Sequence, residues 1–295
     1  MKKVLFILLP LMMLLLVSSC TGCGSGNDKD NKTGNDSIAT AADNDTISND
    51  TATVVDNTPL TEMEKLMEDK PMPKAADELF DDFFYNFSNN RKLQKERIQW
   101  PLAILNNGAK GTMNENQWTM ERFYSDKEYY VMLLDDVKQT ALAKDTSLTN
   151  VVVKHVNIPS NKLRNYTFNR INGEWKMTEM ETESLSESKN AGFLRFYQKF
   201  ATDSTYCQQS LADQISFTGP DEEDENVTTT RNISPEEYGY WAPELAVDFF
   251  AVAYGQKNES SNNKVFIMRQ PASSQECRMH FRRQGSQWKL YKLEE

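Results

Sequence analysis

Histidine and cysteine are scarce, two and four residues respectively in a chain of 295. So small a supply leaves little for a zinc site or a thiol–imidazole pair. No Cys-x-x-Cys, His-Glu-x-x-His, Gly-x-Ser-x-Gly or phosphate-binding glycine loop occurs in the part able to fold. Positive charge is also in deficit: 33 basic against 43 acidic side chains give a formal charge of −10, which argues against a nucleic-acid binder working through a basic face. Aromatic residues are missing between Thr21 and Leu79 and dense from Phe80 onward. Only the later stretch can bury a core. No catalytic residue, metal set or cofactor motif stands out.

What is present begins with an address. Lys2 and Lys3 precede an apolar run, Val4–Val17, interrupted only by Pro10. The run is short of the roughly 20 residues a membrane-spanning helix needs and suits the core of a signal peptide. It ends at Val17-Ser18-Ser19-Cys20, which resembles the bacterial lipobox. That resemblance implies a signal peptide over residues 1–19 and a lipid on Cys20, with Cys23 the weaker alternative. Residues 20–64 are rich in Asp, Asn, Thr, Ser and Gly, cannot offset chain entropy by burial, and are expected to form a disordered tether. About 40 residues of coil reach on the order of 35 Å. Within it Asp36-Ser37-Ile38, Asp45-Thr46-Ile47 and Asp50-Thr51-Ala52 resemble the O-glycosylation acceptor of Bacteroidota, which implies sugars on Ser37, Thr46 and Thr51. A plain solvated linker of this composition yields the same triplets. The expected location is the cell envelope, anchored by lipid to the outer membrane and facing the periplasm or the cell surface.

The rest is a duplication. Phe80, Phe83, Phe84 and Phe87 match Phe193, Phe196, Tyr197 and Phe200 at an offset of 113 residues, and Phe168, Arg170, Trp175 and Lys176 match Phe281, Arg283, Trp288 and Lys289 at the same offset. A period this long is a domain rather than a solenoid repeat. The spacing predicts two tandem domains, residues 65–186 and 187–295. Each opens with aromatics at i, i+3, i+4 and i+7, one face of an amphipathic helix. Each closes with a period-two strand, a turn (Asn172-Gly173 or Gly285-Ser286) and a returning strand carrying Trp175 or Trp288. Further strands are expected at Val151–Asn157, Val265–Arg269 and Ile98–Trp100. Glu128–Val137 reads equally as helix or strand. A helix followed by antiparallel strands in about 110 residues is an α+β plan.

The order, length and closing Phe-x-Arg…Trp-Lys hairpin resemble the nuclear-transport-factor-2-like (cystatin-like) cone, a helix packed on a curved antiparallel sheet. Lipobox, polar tether and two such copies resemble an uncharacterised lipoprotein family of Bacteroidota. The resemblance implies fold and location and carries over no active residue. Single residues have plain readings: His155 a core or edge histidine, with a group in a cone pocket as the alternative, His280 part of a solvated basic face, Asp81 and Asp82 the solvated side of the aromatic helix, Asp221–Glu225 a solvated loop or a weak cation or basic-partner site. Arg170 and Arg283 have core-facing parity, so each either holds an anion in a cone pocket or snorkels at its strand end. Cys207 and Cys277 are expected to form a disulfide. The compartment is oxidising, and the offset positions in the first copy, Gln94 and Arg164, both lack cysteine. Two buried free thiols are the alternative. The functional expectation is a non-catalytic ligand-binding or protein-interaction module at the envelope, needing no cofactor. Its expected partners are the membrane, through the anchor, and an unidentified envelope protein or small ligand. The alternative is a hydratase- or isomerase-like enzyme using a cone pocket, which rests on fold analogy.

Overall fold

Aromatic spacing and strand pairing account for most of the architecture. The computed structural model describes residues 59–68, 70–123, 129–221, 223–224, 226–255, 261–270 and 275–295, and these pack as one unit. Cys20, Ser37, Thr46 and Thr51, with the signal peptide and most of the tether, lie outside the described residues. The first half runs α1 (Glu62–Glu68), α2 (Phe80–Ser88), α3 (Arg91–Arg97), β1 (Ile98–Asn106), β2 (Ala109–Met113), β3 (Tyr130–Leu134), β4 (Asn150–Asn157), β5 (Lys162–Ile171) and β6 (Glu174–Ser184). The second runs α4 (Ala191–Thr202), α5 (Ser204–Gln209), β7 (Leu211–Pro220), β8 (Thr228–Ile233), α6 (Pro235–Trp241), β9 (Asp248–Ala253), β10 (Asn263–Arg269), β11 (Glu276–Gln284) and β12 (Gln287–Glu294).

Local chemistry explains the boundaries. The Asn90 side chain accepts from the Leu93 backbone N–H at 2.9 Å and starts α3, while Ser234 and Glu237 form a capping box around Pro235 at the head of α6. Asn172 and Gly173 both take positive φ, 52° and 86°, as a two-residue turn matched to strand twist requires.

The twelve strands form a single sheet in the order β2-β1-β6-β5-β4-β9-β3-β10-β11-β12-β7-β8. The element order repeats, but the copies are not separable as two tandem domains, because each lends a strand to the other. β9 of the second half pairs antiparallel with β4, and β3 of the first half pairs antiparallel with β10. β3 and β9 meet at the middle through a parallel pairing of Val131 with Ala251. The expected boundary at residues 186 and 187 is therefore a connection between two halves of one sheet.

The exchange places the central strands between two cores. Tyr130, Met132 and Leu134 join the cluster under α2, and Val131 and Leu133 join the cluster under α4. Since alternate residues point to opposite faces, the two helices cover opposite faces of the sheet. β3 is buried along its whole length. A strand covered on both faces reads as an unbroken apolar run, which is why Glu128–Val137 carried no period in the sequence. Phe83 and Phe87 of α2 are fully buried, as are Phe168 and Trp175 across from them. Trp288, the counterpart of Trp175, is only half-buried.

The expected Cys207–Cys277 disulfide is corrected: both cysteines are free. Each packs as a small apolar group against the cluster under α4, and burial pushes the Cys207 thiol up to about 11 and the Cys277 thiol up to about 12. The two copies fill these positions differently. In the first copy Gln94 hydrogen-bonds both the backbone N–H and the carbonyl of Glu121, at 3.0 and 2.8 Å, and Arg164 reaches the Glu121 carboxylate at 3.4 Å. In the second, buried Tyr238 belongs to the cluster against which both thiols pack.

Candidate functional site

The face of β4–β5–β6 turned away from α2 is only partly covered. Cross-strand register sets out its floor: Ala251, Lys154, Asn165 and Glu181 form one row, and Phe249, Val156, Leu163 and Glu183 form the next. The connection from β6 into α4, with Leu194, makes one wall of a cleft of about 800 Å³. Its lining combines apolar surface from Leu133, Val156 and Phe249 with polar groups convergent at the floor, the general anatomy of a small-molecule site.

The polar floor is a connected network. Lys154 Nζ donates to Asn165 Oδ1 at 3.2 Å, and Asn165 Nδ2 donates to Glu181 Oε2 at 3.2 Å and to Glu183 Oε1 at 2.9 Å. Asn165 is buried and reads the charge on both sides. Burial holds the Lys154 ammonium below the usual lysine range, against the upward pull of Glu183 and Glu181 and with a further push down from Lys189. The two glutamates can accept from a ligand's hydroxyl or ammonium groups, and Lys154 can donate to a carbonyl or an anion. Among the described residues no three His, Cys, Asp or Glu side chains converge as a metal site would need.

The candidates from the sequence are scattered. His155 stands on the opposite face of β4, stacked on Phe250 at 4.5 Å between centroids, with Nε2 at 2.6 Å from Asp248. Arg170 ties its own hairpin down, donating to the carbonyls of Thr146 at 2.7 Å and Gly173 at 3.3 Å. Arg283 is exposed and lines a separate groove beside α4. His280 is buried rather than solvated, its Nε2 at 2.6 Å from Glu294, and burial lowers its pKa while Glu294 pulls it up.

Asp81 is likewise not on a solvated side. Its carboxylate accepts from Tyr254 at 2.5 Å and Tyr130 at 2.9 Å, which latches α2 to β3 and to the end of β9. Burial raises its pKa, opposed by the two tyrosines and Arg269. Lys154, Asn165, Glu181 and Glu183 escaped the sequence reading altogether. Their one local signal is a lysine sharing parity with Val152 and Val156 inside an apolar strand, and the pairing register that joins them is not visible in the chain order.

Comparison with known proteins agrees with this fold. A solved NTF2-like protein from Bacteroides fragilis NCTC 9343 superposes with a TM-score of 0.69 at 29% identity, covering 76% of this chain and 98% of that one. No curated protein matches. The family described as domain of unknown function DUF4348 matches residues 60–295, which takes in both halves of the sheet. The chain belongs to the DUF4348 family, and its fold is NTF2-like.

Proposed function

We propose that the protein is a non-catalytic ligand-binding module of the cell envelope, held to the membrane by lipid on Cys20, which takes a small polar ligand into the cleft over Lys154. The observation that carries this is the connected floor, Lys154–Asn165–Glu181/Glu183, at the base of an open cleft. A buried asparagine must keep its hydrogen bonds, and the half-buried lysine and glutamates tied to it supply orientation for a ligand with hydroxyl or ammonium donors. The lipobox supports the location. A hydratase- or isomerase-like enzyme is the second reading, favoured by the depressed Lys154 amine.

The test is purification of the intact protein from the membrane fraction of its native cells, with mass spectrometry of small molecules released on denaturation. A compound that accompanies the wild type and is lost from Glu181→Gln/Glu183→Gln supports the binding module. The same compounds in both, none in either, or the protein outside the membrane fraction overturns it. Chemical turnover of the released compound by wild type and not by Lys154→Met would establish the enzyme instead.

A further inference from the structure

A second groove, of about 490 Å³, lies between the outer side of α4 and the β11–β12 hairpin. Lys189, Arg195, Lys199 and Arg283 line it, all four exposed, and among the described residues no carboxylate does. A fifth cation, Lys264, is buried and already neutralised by Asp135, and it also donates to Asn190 at 2.9 Å. Several arginines elsewhere pair with acids: Arg97 with Asp77, Arg122 with Glu64, Arg269 with Glu276. Acidic side chains outnumber basic ones in this chain by 43 to 33, so a lining of cations alone runs against composition. It also runs against stability, because Arg195 and Lys199 are like charges four residues apart on one helix.

The repeat supplies an internal control. At the 113-residue offset, Arg195 and Lys199 correspond to Asp82 and Asn86, and Gln287 to Glu174. Lys189 corresponds to Ala76, and only Arg283 keeps a basic counterpart, Arg170, so the same helix and hairpin form without the rest of the cluster. In the first copy the Trp175 backbone N–H donates to the Asp77 carboxylate at 3.0 Å and the indole is buried. In the second copy the offset residue is Asn190, turned toward Lys264, and Trp288 lines the groove beside Tyr206. Where the first copy has its own carboxylate, the second has cations around a half-open aromatic ring.

We propose that this groove binds a small polyanion, a ring-sized body bearing two or more phosphate, sulfate or carboxylate groups, with the cations taking the charges and the Trp288 and Tyr206 rings taking the body. The site is distinct from the Lys154 cleft and does not depend on the reading given to it. The test is isothermal titration of the full chain with inositol hexakisphosphate and with sucrose octasulfate, and flotation with vesicles of anionic against zwitterionic phospholipid. At least one soluble polyanion should bind, and more weakly as salt rises. Affinity should fall roughly tenfold or more for Arg195→Glu, and again for Lys199→Glu, and should hold for Lys110→Glu on exposed β2. Thermal melting of the uncomplexed Arg195→Gln/Lys199→Gln variant should be unchanged or higher, since like charges are removed. No binding by either soluble probe, equal binding by the charge-reversal variants, or binding only to anionic vesicles overturns the proposal.

Discussion

Strand exchange makes the two halves interdependent, and the size of that dependence can be worked from the structure. A fragment of residues 60–186 would lose β9, whose Phe249, Phe250, Ala251 and Val252, with the following Tyr254, are at most 7% exposed. Phe250, Val252 and Tyr254 belong to the core under α2, and Tyr254 also holds Asp81. Burial contributes about 1.5–3 kcal/mol per large apolar side chain, so losing these three costs roughly 5–9 kcal/mol before the unpaired edge of β4 is counted. That rivals the 5–15 kcal/mol net stability of an ordinary domain. The fragment alone should lack a cooperative thermal transition, and so should 187–295, which loses Val131 and Leu133 from its core. Co-expressed, the two should assemble into a complex with one transition. Calorimetry and amide exchange decide it: cooperative melting with protected amides in residues 60–186 alone would refute the argument, because the half could then close its sheet without the borrowed strand.

Two further outcomes test the cores. Trp175→Ala should cost about 3–5 kcal/mol, as removal of a fully buried aromatic does, and Trp288→Ala, half-buried, clearly less; equal losses in urea denaturation would contradict the difference in packing between the copies. Burial raises the Asp81 pKa above its ordinary value, so its proton contributes stability that is complete below the unfolded-chain value of about 3.9 and is lost as pH rises through the raised value. The stability of wild type relative to Asp81→Asn should therefore fall with rising pH across that window, and a difference that grows with pH would show that the ionised form is the one the fold favours.

Phe80, Phe83, Phe84 and Phe87 declare a helix in the sequence because their spacing is local, and the Asn172-Gly173 turn declares its hairpin for the same reason. The 113-residue offset likewise exposed the repeat, since it compares the chain only with itself. Three things could be decided only by packing. The exchange of β3 and β9 is a choice between equivalent partners, and an equivalent strand carries no mark of which copy it will join. The fate of Cys207 and Cys277 was settled by where helix and sheet set them: both pack as free thiols against the cluster under α4. The Lys154 network arises from register across β4, β5 and β6, where residues up to 18 positions apart hydrogen-bond. Periodicity and turn chemistry act between near neighbours and can be read along the chain. Strand choice, burial of charge and the meeting of distant side chains are energies of the assembled sheet, and they exist only once it has formed.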